Sequence, residues 1–366
     1  MIHDATLACN RCFKGQILID FIYQEGRKGR CDWCGGRNVY VVPLHMLGDI
    51  FRQVVSIYEH DDNYSDSISF LLQGDWEVFS DRIEEAPDDL MQKMTVAILK
   101  AGLTEKDYLT DYPNYDEGFR HEEPWLENHW HYKAEAYFEK GGTPNNLDGL
   151  DVNKEVENFS DFPAQLEVVF EDLSTIYEPG KIFHRARIHK DRFRNERFQL
   201  SELGAPPPEK TPAGRANRKS EPVLYLASDS GTAFAEVRAW KGTAVAIAKV
   251  RARKRLVVVS LLNYQLPDNP FDDELIKWKI QLAQLFDRLA LELSTPIVKQ
   301  SDKKMYFSTQ YLCDWVKKFK YDGIEYPSAM GNGFNVVLFN PEDADVITQE
   351  YVRVKGIYPL YQSIEG

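Results

Sequence analysis

Two sets of residues in this chain have the types and spacing to do chemistry. The first is Cys9-Asn10-Arg11-Cys12 with Cys31-Asp32-Trp33-Cys34, two Cys-x-x-Cys knuckles with eighteen residues between the inner cysteines. Four thiolates at this spacing can surround one Zn²⁺ tetrahedrally, each knuckle giving two ligands from a tight turn, as in a zinc ribbon. Disulfides are disfavoured in a reducing cytosol, and a redox pair does not need two copies. With Cys9, Cys12, Cys31 and Cys34 all bound, no coordination position is left for water, so the expected zinc is structural. The second set centres on Glu236 in EPVLYLASDSGTAFAEVRAW, residues 221–240. A β-type run ends in the capping cluster Ser228-Asp229-Ser230-Gly231, so a helix is expected from about Thr232. On that helix Ala233, Glu236, Val237 and Trp240 share a face, which draws a carboxylate into an apolar stripe.

The elements that must position these residues follow from pattern. Gln16 to Tyr23 between the knuckles reads as a strand, and Gly35-Gly36 supplies turn freedom. Leu44–Tyr58, Asp89–Met94 and Trp125–Lys140 read as helical, as do Asp272–Leu293 and Lys303–Phe319. IFHRARI from Ile182 alternates as a strand, with Arg185 and Arg187 on one face. Val223–Ala227, Ala244–Val250, LVVVSLL and Phe334–Phe339 also read as strands. Cys313 lies within a helical pattern as a buried apolar thiol. His121, His129 and His131 near Glu122, Glu123 and Glu127 raise a metal or nuclease centre, but they lack the three- or four-residue offsets that would put ligands on one helix face.

Composition bounds the rest. At 366 residues the chain is long enough for more than one domain, and 43% hydrophobic residues can fill packed cores. The N-terminus has neither a basic start nor an apolar run, and no stretch approaches a membrane span, so a cytoplasmic protein without a membrane partner is expected. The net charge of −13 argues against a general nucleic-acid binder. The charge is unevenly spread. Residues 57–123 hold eighteen acidic against five basic residues, whereas 181–219 hold eleven basic against four acidic. The basic window is either a solvated face or an anion pocket.

The ordered series FHRAR, GRAN, VLYLASDSGTAFAEV, TQYLCDW, YDGIEYPS and NVVLF resembles the RES domain over roughly residues 175–350. The Cys₄ region is similar to a domain found in front of RES or HEPN domains. The family pattern commonly has Trp after Gly-Arg, where this chain has Ala216, and an aromatic residue where this chain has His184. The resemblance implies an α+β protein in three parts: a zinc ribbon at 1–45, a mainly helical acidic region at 46–170, and at 171–366 an ADP-ribosyltransferase-like mixed β core with flanking helices. It further implies an enzyme that destroys NAD⁺ at the nicotinamide–ribose bond by hydrolysis or phosphorolysis, acting as a toxin of a toxin–antitoxin or anti-phage system. A transferase placing ADP-ribose on protein and a non-catalytic zinc-ribbon module, the latter motivated by Ala216, are the alternatives. Self-association and an antitoxin or regulatory partner both fit such an enzyme.

Residue roles follow from the same resemblance. Glu236 faces the positive charge that develops on the ribose. Arg185 and Arg215 grip the pyrophosphate, Arg187 and Asn217 extend that binding set, and Tyr225 lines the pocket. Ser328 positions the substrate or the attacking group and is not a nucleophile, since no His or Lys at recognisable spacing activates it. The duller alternatives are a core Tyr225, a turn Ser328, a surface-paired Arg187, and a Glu236 paired with a cation. Of these partners Arg238 lies two residues on and points elsewhere.

Overall fold

The computed structural model describes residues 6–87, 89–101, 103, 117–121, 123–149, 162–189, 197–262, 264, 270–272, 276–295 and 303–356. Residues 150–161, near the end of the expected 46–170 region, lie outside them. So do Glu122, the basic residues Lys190, Arg192 and Arg194, and the expected start of the Asp272–Leu293 helix at 273–275. The chain divides into two compact units, 1–125 with 265–283, and 126–264 with 284–366.

In the first unit, β1 (Leu7–Cys9), α1 (Gln16–Glu25), β2 (Arg27–Arg30) and β3 (Arg37–Pro43) form the cysteine-bearing end. The three strands make an antiparallel sheet in the order β1-β3-β2. The strand expected from Gln16 is instead helix α1. Its apolar residues fall on both parities, so alternation never favoured a half-buried strand. Leu18 and Ile22, four apart, are the fully buried pair that the core selects, and Gln16 Nε2 donates to Asp20 Oδ1 across one helical turn at 2.7 Å. The helices α2 (Leu44–Val55), α3 (Ile68–Trp76), α4 (Asp81–Glu84) and α5 (Leu90–Lys100), with the β4–β5 pair (Tyr58–His60, Phe119–His121), complete this unit. Phe13, Phe51 and Phe79 meet at its centre with ring centroids 5.8–6.2 Å apart.

In the second unit, α6 (Trp125–Glu139, which begins one residue before it) and α7 (Phe162–Asp172) precede a mixed sheet. Its strands are β6 (Ser174–Tyr177), β7 (Ile182–Ile188), β8 (Leu224–Ala227), β9 (Ala244–Ala252), β10 (Leu256–Ser260), β11 (Gly323–Pro327), β12 (Phe334–Leu338) and β13 (Ala344–Arg353), in the order β13-β9-β7-β8-β12-β11-β10-β6. The β10–β11 pair is parallel and the others antiparallel. Helix α8 (Ser230–Glu236) follows β8, α9 (Ile276–Ser294) runs from the first unit into the second, and α10 (Phe307–Lys318) is buried along most of its length. The architecture is therefore mixed α+β.

One join in this sheet differs from the rest. β7 pairs with β9 over seven residues but with β8 only through His184 opposite Ala227. The two strands part on either side of that pair, and the sheet opens a seam there.

Two expectations shift in detail. Helix α8 ends at Glu236, so Trp240 leaves its face and is 48% exposed; Ala233 and Glu236 keep the shared side. Arg238 takes a left-handed φ of 48°, which turns the chain away directly after the helix. Cys313 is buried as expected, and burial pushes its thiol up to about 12.

Candidate active site

The seam holds a cleft of about 180 Å³, lined by residues of β7, β8, α8, β11 and β12, among them His184, Arg185, Tyr225, Glu236, Tyr326 and Asn335. Each side chain arrives for a local reason. Asp229 caps α8, accepting from the Thr232 N–H at 2.8 Å and from the Thr232 and Ser228 hydroxyls at 2.7 and 2.8 Å. The same two hydroxyls accept from the backbone N–H groups of Gly333 and Phe334, both at 3.1 Å, which pins the helix start to β12. These bonds hold the Asp229 carboxyl down at about 2, the Thr232 N–H contributing most. Seven residues later the helix ends with Glu236 over the cleft.

The Glu236 carboxylate is held at one oxygen. Ser328 Oγ and Asn335 Nδ2 both donate to Oε1, each at 2.7 Å. Ser328 Oγ also accepts from the N–H groups of Met330 and Gly331, at 3.1 and 3.0 Å, so its hydroxyl is fully committed behind Glu236. This arrangement sets Ser328 against the carboxylate, with its proton directed at Glu236 Oε1.

Arg185 crosses the seam. Its Nη1 donates to the Tyr225 carbonyl at 3.2 Å, in place of a ladder bond that β7 does not make there. No carboxylate pairs with it among the described residues. Burial, aided by the neighbouring Arg187, pulls the guanidinium down to about 10. A cation held in that state favours an anionic ligand. His184 lines the same cleft and its buried Nδ1 has no hydrogen-bond partner among the described residues.

Tyr225 offers its ring to the cleft, while its hydroxyl is occupied. The hydroxyl donates to Asn217 Oδ1 and accepts from the Ala216 N–H, both at 3.0 Å. Gly214 is needed beside them, because a Cβ there would lie 2.6 Å from Asn217 Oδ1 and 2.9 Å from the Tyr225 oxygen. The Gly-Arg loop is fastened from its other side by Gln310 Nε2, on the carbonyls of Gly214 and Asn217, and by Thr309 Oγ1, on that of Arg215. Ala216 is fully buried and acts through its backbone, so the absence of a large side chain leaves the hold on Tyr225 intact.

The sequence-derived set is thus partly brought together. Arg185, Tyr225 and Glu236 share the cleft, with Ser328 directly behind Glu236. Asn217 is a loop organiser. Arg215 lies near enough to feel Tyr326, Tyr225 and Glu236 electrostatically, but its Nη1 donates to the carbonyls of Glu292 and Leu293 at the end of α9, the first at 2.7 Å. Arg187 is exposed, its Nη1 on the Glu202 carbonyl and its guanidinium 5.0 Å from the Phe198 ring centre, outside the cleft lining. Tyr326 and Asn335 were not singled out from sequence. Asn335 had a signal, being the one polar residue in Phe334–Leu338.

The other candidate centre is the cysteine set. The four sulfurs lie within 4.8 Å of one another, and the closest pairs are 3.5–3.7 Å apart. Sulfurs 2.3 Å from a central Zn²⁺ at tetrahedral corners stand about 3.8 Å apart, so the cluster fits that ion. Hydrogen bonding from Cys12 pulls the Cys31 thiol down, while its sulfur neighbours push that of Cys12 up. Among the described residues this is the one group of three or more His, Cys, Asp or Glu residues close enough to hold a metal. His121 and His131 instead meet single carboxylates, Asp75 at 2.8 Å and Glu292 at 2.9 Å.

A chain of the crystal structure of the M. tuberculosis MbcT–MbcA toxin–antitoxin complex is similar at 14% identity, over 51% of this chain and 92% of that one, with a TM-score of 0.31. No curated protein matches. Residues 183–359 match the family model for the RES domain, and this stretch holds every residue of the cleft.

Proposed function

We propose that the chain is an NAD⁺-degrading enzyme that cleaves the nicotinamide–ribose bond, with water or phosphate as acceptor. The observation that carries this reading is the Glu236 carboxylate, fastened at one oxygen by Ser328 and Asn335, in a cleft whose cation Arg185 has no carboxylate partner among the described residues. When the bond breaks, its electron pair leaves with the pyridinium, which departs as neutral nicotinamide. Positive charge then passes to the ribose C1. A fixed carboxylate in a partly desolvated cleft favours that charge without having to reorganise. Arg185 supplies planar donors for a phosphate of the dinucleotide. The Tyr225 and Tyr326 rings offer stacking surface to the nicotinamide.

The ribbon has a structural role in this reading, since four sulfurs leave no open position for chemistry. The three-part division at 1–45, 46–170 and 171–366 assigns the acidic region to regulation. A cytoplasmic toxin or defence effector restrained by an antitoxin follows from the same chemistry, because unrestrained NAD⁺ loss would arrest its own cell. Among the described residues no helix is long and apolar enough to cross a membrane.

Purified protein incubated with NAD⁺, with and without phosphate, tests the proposal. Free nicotinamide with ADP-ribose indicates hydrolysis, and a phosphate-dependent ADP-ribose phosphate indicates phosphorolysis. Labelled protein would move the assignment to a transferase. NAD⁺ that survives both incubations would leave the C-terminal half a binding module.

A further inference from the structure

Asn335 stands in β12 at 7% exposure, in a strand that is otherwise apolar. A buried amide is costly unless its hydrogen bonds are made, so its partner is informative. Its Nδ2 donates to Glu236 Oε1, the same oxygen that Ser328 Oγ holds, and both distances are 2.7 Å. The opposite amide orientation would set Oδ1 against a carboxylate oxygen, so donation by Nδ2 is the one consistent assignment.

We propose that Asn335 is a positioning residue that decides which carboxylate oxygen of Glu236 meets the substrate. This inference rests on the catalytic role proposed for Glu236. A carboxylate held by one donor can turn about its last bond and exchange its oxygens. A second donor from another element removes that freedom. Ser328 follows β11 and Asn335 belongs to β12, so the two bonds arrive from separate main-chain segments. Both near lone pairs of Oε1 are then occupied, and Oε2 keeps its own for the cleft. The other ionisable groups facing this carboxylate are Arg185, His184, Tyr225 and Tyr326 of the cleft, with Arg215 acting through space.

The test uses the full chain with Asn335→Leu, which keeps the shape and loses the donor, and Asn335→Asp, which keeps the shape and adds a like charge. Thermal melting establishes that each is folded. In NAD⁺ turnover, kcat is expected to fall by about 10- to 100-fold with KM within about threefold, since misplacement of a reacting group costs rate more than binding. A second readout needs no turnover: the ¹³C resonance of the Glu236 carboxyl, assigned by its loss in Glu236→Gln, should move in both variants because one of its two donors is gone. If both variants leave that resonance where it is in the parent, Asn335 is a strand residue and the proposal is overturned. Absence of NAD⁺ turnover in the parent would overturn the proposed activity while leaving the resonance to judge Asn335.

Discussion

The cysteine cluster and the cleft are both concentrations of polar groups inside packed units, and they are finished in opposite ways. In the cluster, four sulfurs face one another at ligand spacing and nothing is left for an outside molecule. In the cleft, Glu236 has one oxygen fully engaged, Arg185 spends one nitrogen on a carbonyl, and the His184 Nδ1 has no hydrogen-bond partner among the described residues. Closed polar clusters stabilise a fold, and open ones wait for a ligand. Burial alone does not separate the two; the partner count of each atom does.

This contrast can be broken at either end. The largest effect is expected from zinc removal. Apparent binding energies of structural zinc are about 10–16 kcal/mol, so a strong chelator should unfold the ribbon, as followed by circular dichroism with elemental analysis of the metal. A zinc-free chain with its ribbon intact would place the cysteines outside the closed class. Next is Asp314, a closed site at 1% exposure that binds Arg218 through both oxygens, at 2.9 and 2.5 Å, and accepts from the Tyr137 hydroxyl at 2.9 Å. Asp314→Ala leaves a largely buried cation without its partner and should cost about 3–5 kcal/mol in urea unfolding.

Glu236→Gln probes the open class. We expect turnover to fall by about 10²- to 10³-fold, equivalent to about 2.7–4 kcal/mol of transition-state stabilisation, with unfolding free energy close to that of the parent. Normal NAD⁺ consumption by this variant would remove Glu236 from catalysis. The smallest effect is at Asp229, an exposed but fully bonded cap. Its folded-state carboxyl is depressed to about 2, below the unfolded value, so its contribution is complete above the unfolded value and fades as pH falls through 2. Asp229→Ala should cost about 1 kcal/mol at neutral pH, and the difference from the parent should vanish in acid.

The same contrast explains what could be read from the chain in advance. The knuckles were legible because metal geometry dictates spacing within a short segment. Glu236 was legible because a carboxylate on an apolar helical face is a local anomaly, and the ordered motifs made Arg185, Tyr225 and Ser328 stand out with it. The helix at Gln16 reads as a strand in the sequence because Ile and aromatic residues dominate it, and only the burial of Leu18 with Ile22 decides the period. Arg187 and Arg215 carried the right chemistry, but a guanidinium's commitments depend on which carbonyls lie within reach, and those of Glu202, Glu292 and Leu293 are distant in sequence. Asn335 was hidden for the same reason, since its partner lies 99 residues away.

The seam between β7 and β8 has a consequence for how recognition here can be dissected. A strand edge that is relieved of its neighbour presents main-chain carbonyls and amides to whatever occupies the gap, and Arg185 already uses one of them. Those groups are the same for every residue type. Specificity written into them would survive an alanine scan of the lining, and would be reached only by changes that close the gap or alter the backbone itself.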